Sequence, residues 1–129
     1  MKYLRFDFEG ILRDYNSNKD ALRSIKKQID YFETGQGVEY GELSYWDIIN
    51  NPNTMKVLHD KYDELNLYVS LVDNALAGLQ ESERNALKTF FIEGNTAEKS
   101  ADKLGCSVRE FFRVKALAFD KFKHIVYWQ

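Results

Sequence analysis

Residues 95–107 read NTAEKSADKLGCS, and this stretch decides how the last third of the chain is expected to fold. Thr96 is a good N-cap for a short helix, and Gly105 stands where that helix must end in a turn with positive φ. Ser107 then opens a second helix, with Glu110 three residues later in the spacing of a capping box. Two helices joined by a three-residue turn that contains glycine predict a helix-turn-helix, a motif whose second helix enters the major groove of DNA.

A long amphipathic helix is predicted after Ser107, because its apolar residues recur with a period of 3.6. These residues are Phe111, Val114, Ala118, Phe119 and Phe122. Ser82 is placed to cap a third helix, whose packing face consists of Ala86, Leu87, Phe90 and Phe91. Because three helices bury a small shared core, residues 79–129 are predicted to form a helix-turn-helix domain. The competing interpretation is an ordinary helical hairpin within a bundle.

Three groups of residues in this region resemble region 4 of bacterial sigma-70 factors. They are Leu79-x3-Glu83-Arg84-x2-Leu87, Thr96-x4-Ala101-x2-Leu104-Gly105-x-Ser107 and Ala116-Leu117-Ala118-Phe119-x-Lys121-Phe122. The chain is more similar still to small phage and prophage regulators of the ArpU and RinA kind, which join a helical N-terminal part to such a helix-turn-helix. The resemblance covers residues 79–123, and it implies transcriptional control of phage late genes.

Candidate DNA contacts follow from the outward positions of the second helix. Arg109 and Arg113 lie four residues apart on one face, and arginine is suited to bidentate contact with guanine. Phe112 and Leu117 are expected either to contact thymine methyl groups or to pack against the N-terminal part or a partner. The candidates for contact with DNA phosphates are Lys99, Lys103, Ser107, Lys115, Lys121 and Lys123.

The charge of the chain is unevenly distributed. The net charge is −2, with nine Lys and Arg against thirteen Asp and Glu in residues 1–78, and nine against seven in residues 79–129. The candidate DNA-binding part is therefore the basic part, although its excess of cations is small. A monomer with so few cations should bind DNA weakly at physiological salt, because phosphate contacts supply much of the affinity. We therefore expect either a homodimer or help from a protein partner such as RNA polymerase.

Residues 1–78 are predicted to form a separate helical part. A first helix spans residues 3–15 and is broken by the polar cluster at residues 16–18. Ser17 and Asp20 have the spacing of a capping box, which predicts a second helix to about Glu33. The irregular segment that follows contains aromatic and apolar residues expected to cover the bundle, namely Tyr40, Tyr45, Trp46, Ile48 and Ile49.

The longest helix is expected to begin at Asn53 or Thr54 and to carry a heptad seam. The seam alternates steps of three and four through Met55, Leu58, Tyr62, Leu65, Val69, Val72, Leu76 and Leu79. It serves either as an internal helix–helix contact or as a dimer coiled coil that spaces two DNA-binding heads. The candidate oligomerisation residues are Leu58, Tyr62, Leu65, Val69, Val72 and Leu76.

Few residues offer catalytic or metal-binding chemistry. The chain has one cysteine and two histidines, His59 and His124, neither of which has a second ligand at the spacing of a zinc motif. No Walker or Rossmann loop is present, so neither an enzymatic activity nor a cofactor is predicted. The chain has no apolar run long enough for a membrane span, and its start lacks the apolar stretch of a signal peptide. A cytoplasmic protein is therefore expected.

The prediction is an all-α protein that acts as a sequence-specific transcription regulator on double-stranded DNA. Two alternatives remain. In the first, the helix-turn-helix binds RNA polymerase or a sigma factor through Phe112 and Leu117. In the second, the chain is a DNA-packaging subunit of the small-terminase kind, which also uses helix-turn-helix heads on oligomerising helices.

Overall fold

The computed structural model describes residues 7–34 and 53–127. Helices account for 88% of these residues and none of them lies in a strand, so the predicted all-α class is confirmed. The elements are α1 (Phe8–Arg13), α2 (Tyr15–Thr34), α3 (Asn53–Ala77), α4 (Glu81–Leu87), a π-helix (Lys88–Ile92), α5 (Ala97–Leu104) and α6 (Val108–Tyr127). The segment with the predicted bundle-covering residues Tyr40, Tyr45, Trp46, Ile48 and Ile49 lies outside the described residues.

The chain divides into two compact units. Of the described residues, the larger unit contains 7–16 and 69–127, and the smaller contains 17–34 and 53–68. This division differs from the boundary expected after residue 78, because α1 and the last turns of α3 group with the C-terminal helices. Arg84 illustrates the connection, since its side chain donates hydrogen bonds to the carbonyls of Leu76 and Leu79 at 2.9 Å each. Leu76 lies at the C-terminal end of α3, where carbonyls lack partners within the helix, and Leu79 lies two residues beyond that end.

The core of the larger unit forms where α6 packs against α4 and α5. Phe111, Ala118 and Phe122 on α6 are completely buried, which agrees with the apolar period of this helix. Phe111 packs in one cluster with Ala86 of α4 and Ala101 of α5. The two alanines let the helices approach closely, and the phenylalanine fills the space between them.

Near the N-terminus, the break between the first two helices lies at Asp14, two residues before its predicted position. Asp14 ends α1, and its backbone N–H donates to the carbonyl of Gly10 at 2.9 Å. α2 then begins at Tyr15 and runs through residues 16–18, so the expected break and capping box there are wrong. Asn18 lies inside the helix and is buried. A polar cluster does not end a helix when the fold supplies partners for its side chains.

α4 also begins differently from the prediction. Its N-cap is Gln80, whose backbone N–H donates to the Glu83 carboxylate at 3.0 Å. Ser82 lies within the first turn and is exposed, so the prediction that it caps this helix is wrong. Glu83 supplies the acceptor instead, as in the reciprocal half of a capping box.

The segment after α4 widens into a single π-helix. The backbone N–H of Glu93 donates to the carbonyl of Lys88 at 2.8 Å, which is the i→i−5 bond of this geometry. Thr89 donates its hydroxyl to the carbonyl of Asn85 at 2.7 Å and so competes with the regular α-helical bond. The widened turn carries Phe90, which is half-buried, next to Phe91, which is buried.

The α5–α6 connection has the predicted caps and turn, but the Glu110 carboxylate pairs with Arg113 and does not complete the predicted capping box at Ser107. The Thr96 hydroxyl accepts the backbone N–H of Lys99 at 3.1 Å, and Gly105 has a φ of 70°. The N–H of Cys106 donates to the carbonyl of Ala101 at 3.0 Å, as in a Schellman ending. The Ser107 hydroxyl accepts the N–H of Glu110 at 3.1 Å and starts α6.

The predicted heptad face of α3 is largely buried within this chain. Leu58, Leu65, Val69, Val72 and Leu76 are each no more than 8% exposed, and Tyr62 is half-buried. A coiled coil with a second copy would need these same atoms, because heptad residues insert into holes on the partner helix. These five buried side chains therefore pack within this chain, while a role of the six residues in oligomerisation stays a prediction.

Within the smaller unit, α2 and α3 are linked by a polar contact. His59 Nε2 on α3 lies 3.2 Å from Glu33 Oε1 on α2, and both side chains are about half exposed. The histidine thus has a local partner on the surface of the unit.

Candidate nucleic-acid interface

The outward ridge of α6 is formed by Arg109, Arg113 and Ala116. Successive residues of this set are four and three positions apart, so all three lie on one side of the helix, and each is exposed. Arg109 forms no ion pair or hydrogen bond with any residue that the structure describes. Its guanidinium is therefore available in full to an outside acceptor.

Arg113 is already engaged by a carboxylate. Its Nε lies 3.0 Å from Oε2 of Glu110, and its Nη2 contacts the other carboxylate oxygen. The hydrogen bonds lower the pKa of Glu110 and raise the pKa of Arg113, since each stabilises the charged form of its partner. Both groups are exposed, so an outside ligand competes with this pair at little cost.

One flank of the ridge is aromatic and apolar. Val108 and Phe112 lie there four residues apart, and Phe112 remains 48% exposed. Lys115 continues this flank, with its Nζ 4.1 Å from the Phe90 ring centroid and 5.2 Å from that of Phe112. A cation held on aromatic faces keeps its full charge.

The other flank is bounded by carboxylates. Glu110 lies on this side of α6, and the side chain of Glu81 from α4 lines the same cleft as Glu110 and Arg113. Leu117 also faces this side and is 48% exposed. The two flanks therefore offer an outside ligand opposite electrostatic surroundings.

Lys121 has a structural partner. Its Nζ lies 2.6 Å from Oε2 of Glu83, whose side chain is only 8% exposed. The hydrogen bond from Lys121, followed by that from the backbone N–H of Gln80, lowers the pKa of Glu83. The pair ties α6 to the start of α4, so Lys121 would have to leave Glu83 in order to contact a phosphate.

The remaining candidate phosphate contacts differ in their availability. Lys103 pairs with Glu93 at 3.1 Å, and Lys123 pairs with Asp120 at 3.4 Å. Ser107 uses its hydroxyl oxygen to cap α6 and is exposed. Lys99 is exposed and has no ion pair within the described residues. The number of lysines in this part of the sequence therefore overestimates the free positive charge of the surface, because several of them are paired with carboxylates.

Arg13 belongs to the same surface, although sequence reasoning assigned it no role. Its Cζ lies 5.1 Å from the Phe91 ring centroid and 5.9 Å from that of Phe90. Both rings also lie under Lys115. No local pattern reveals this contact, because Arg13 and Lys115 are about a hundred positions apart in the chain.

The described residues contain no group of three or more His, Cys, Asp or Glu side chains arranged to hold a metal ion. Within residues 7–34 and 53–127, no helix combines the length and apolar character required to cross a bilayer. Cys106 is half-buried and packs against the cluster around Phe111. The fold and this surface define the chain as an all-α protein in which the exposed face of α6 carries two arginines and a phenylalanine. Comparisons with protein-family models, curated proteins and solved structures gave no match.

Proposed function

We propose that this protein is a sequence-specific regulator of transcription that binds double-stranded DNA through the N-terminal half of α6. The observation that carries the proposal is Arg109, an exposed arginine in the first turn of a helix that follows a tight, capped turn. In helix-turn-helix proteins the N-terminal residues of the second helix contact base edges in the major groove. An arginine there forms the commonest specific contact, a bidentate pair with guanine.

The neighbouring residues suit this role. Ala116 leaves space on the ridge for close approach of the groove walls, and Phe112 is exposed for contact with a thymine methyl group. Arg113 joins the interface when a base or phosphate replaces Glu110 as its acceptor. Lys99 on α5 is available for a phosphate, whereas Lys103, Lys121 and Lys123 are paired with carboxylates.

The biological setting is inferred from the resemblance to phage and prophage late-gene regulators. The few available cations favour a mechanism in which RNA polymerase contributes to the affinity for the promoter. No catalytic step is required by this role, and we propose that the chain is not an enzyme.

The test compares Arg109→Ala with Arg23→Ala, a matched change at an exposed arginine of the smaller unit. Preferred duplexes are first selected from a randomised library with the wild-type protein, and affinity is then measured by fluorescence anisotropy. We expect Arg109→Ala to weaken binding to the selected duplex by about 1–3 kcal/mol and to leave random duplex almost unchanged. Arg23→Ala should change neither affinity. If the wild-type protein enriches no sequence, or binds no duplex at low salt, the proposed function is wrong.

A second candidate function is a module that binds RNA polymerase or a sigma factor. It is favoured by the neighbouring Val108 and Phe112, which are 38% and 48% exposed, because contiguous exposed apolar side chains mark protein interaction sites. Leu117, on the other flank of the ridge, is also 48% exposed. The variant with Phe112→Ser and Leu117→Ser separates the two functions. Loss of polymerase capture with unchanged DNA binding supports the module, whereas loss of DNA binding alone supports the regulator.

A further inference from the structure

We propose that Arg13 of α1 and Lys115 of α6 together bind the phosphate backbone of one DNA strand, so that the N-terminal helix extends the DNA-binding surface. The inference rests on the proposed function, and it assigns a phosphate-binding site to a helix outside the α4–α6 region. Its ligand is a phosphodiester group of the DNA strand that runs along the aromatic flank of α6.

The two cations are brought together by shared aromatic rings. Lys115 Nζ lies 4.1 Å from the Phe90 centroid, and Arg13 Cζ lies 5.9 Å from the same centroid. The Phe91 ring lies under both groups as well, at 5.1 Å from Arg13 and 5.8 Å from Lys115. α1 packs against the π-helix that carries both phenylalanines, and this packing holds Arg13 beside α6.

Both cations remain available to an anion. An aromatic face attracts a cation without neutralising it, so the outer hydrogen-bond donors stay free. Lys115 has no carboxylate partner among the described residues. Arg13 has Glu9 at 3.8 Å, in an ion pair whose side chains are both more than half exposed. Such a pair is weak and is readily displaced by a phosphate.

The flank on which these cations lie is the one that a bound DNA strand would follow. Lys115 is three residues after Phe112 and continues the same flank of α6, beside the ridge that carries Arg109. The opposite flank carries Glu110 and faces Glu81, which repel a phosphate. A duplex that engages the ridge is therefore expected to place a strand of its backbone against Arg13 and Lys115.

The salt dependence of binding measures this contact directly. Each phosphate contact adds about 0.9 to the slope of the logarithm of affinity against the logarithm of salt concentration. We expect Arg13→Gln and Lys115→Gln each to lower the slope by about this amount, for selected and random duplexes alike. The matched controls are Arg23→Gln and Lys61→Gln, which remove exposed, ion-paired cations of the smaller unit and should leave the slope unchanged.

Further variants keep the result interpretable if a glutamine substitution perturbs folding. Arg13→Lys and Lys115→Arg retain the charge and should restore the slope, while Glu9→Gln removes the competing carboxylate and should raise it. If wild-type protein binds duplex but Arg13→Gln and Lys115→Gln keep its slope, this inference is overturned and the proposed function stands. If the wild-type protein binds no duplex at low salt, the proposed function fails and this inference fails with it.

Discussion

Arg109 and Arg113 lie four residues apart on α6 but differ in what holds them. Arg113 is engaged by the Glu110 carboxylate, whereas Arg109 has no such partner among the described residues. The same distinction applies to the lysines, because Lys99 has no ion pair in that part of the chain and Lys121 is bound by a buried carboxylate. At the level of single residues, availability depends on the nearest carboxylate, and a cation that is already neutralised adds little to DNA affinity.

Lys121→Ala tests the structural role of that lysine. The change leaves the buried Glu83 carboxylate with the N–H of Gln80 as its remaining donor among the described residues, which should destabilise the fold by about 1–3 kcal/mol at pH 7. The measurement is urea unfolding. Lys123→Ala is the control, since its partner Asp120 is 79% exposed and the pair should contribute little.

The difference in stability between the wild-type protein and Lys121→Ala depends on pH through the pKa of Glu83. Lys121 lowers this pKa below its usual 4.5, so the folded state holds the proton less tightly than the unfolded state. The stabilisation is thus fully present above pH 4.5 and is lost as the pH falls through the lowered value. Wild-type protein and Lys121→Ala should therefore converge in stability in acid. A difference that stays constant from pH 7 to pH 3 would contradict this explanation.

The ends of the helices show where local sequence is sufficient and where it is not. Thr96 and Ser107 cap α5 and α6 as predicted, because each cap requires one side chain and a backbone N–H three residues later. Ser82 has the same chemistry but lies inside the first turn of α4, which begins at Gln80. The choice between two nearby caps depends on the packing of the whole helix rather than on the capping residue.

Thr96→Ala and Ser82→Ala separate a true cap from an apparent one. Thr96→Ala should cost about 1 kcal/mol, because the backbone N–H of Lys99 loses its acceptor at the start of α5. Ser82→Ala should change the free energy of unfolding by less than about 0.5 kcal/mol. Chemical denaturation of both variants provides the comparison. Equal losses for the two would mean that Ser82 also caps a helix.

At the scale of the molecule, α1 belongs to the larger unit together with α4, α5 and α6. Leu12 is completely buried, and α1 packs against the π-helix that precedes α5. The sequence suggested a separate N-terminal part up to residue 78, because nothing in the local pattern links residues 8–13 to a segment some eighty positions later. The apolar character of a residue predicts that it will be buried, but it does not predict which residues it will pack against, because the hydrophobic effect is non-directional.

Leu12→Ala tests whether α1 and the C-terminal helices unfold together. The change creates a cavity in a buried site and should cost about 2–5 kcal/mol. Native-state hydrogen exchange at the amide of Phe111, in α6, is the measurement, and it should become faster by the corresponding factor. Glu9→Ala, at an exposed position of α1, is the control. Unchanged exchange at Phe111 in Leu12→Ala would show that α1 opens independently.

The sequence alone determined the features of this protein that depend on neighbouring residues. These are the all-α class, the inward stripe of α6, the Thr96 and Ser107 caps and the left-handed Gly105. Each is set by spacing within a few turns of helix, where propensity and capping act over short distances.

Only the tertiary structure decided which groups face outward and which cations are free. The spacing of the heptad face of α3 is the same for a dimer seam and for a core, and it is the fold that buries Val72 and Leu76 within this chain. The fold pairs Lys121 with Glu83, and the π-helix brings Arg13 near Lys115. The physical reason is that desolvation and ion pairing depend on distance in space, and these partners lie many positions apart in the chain.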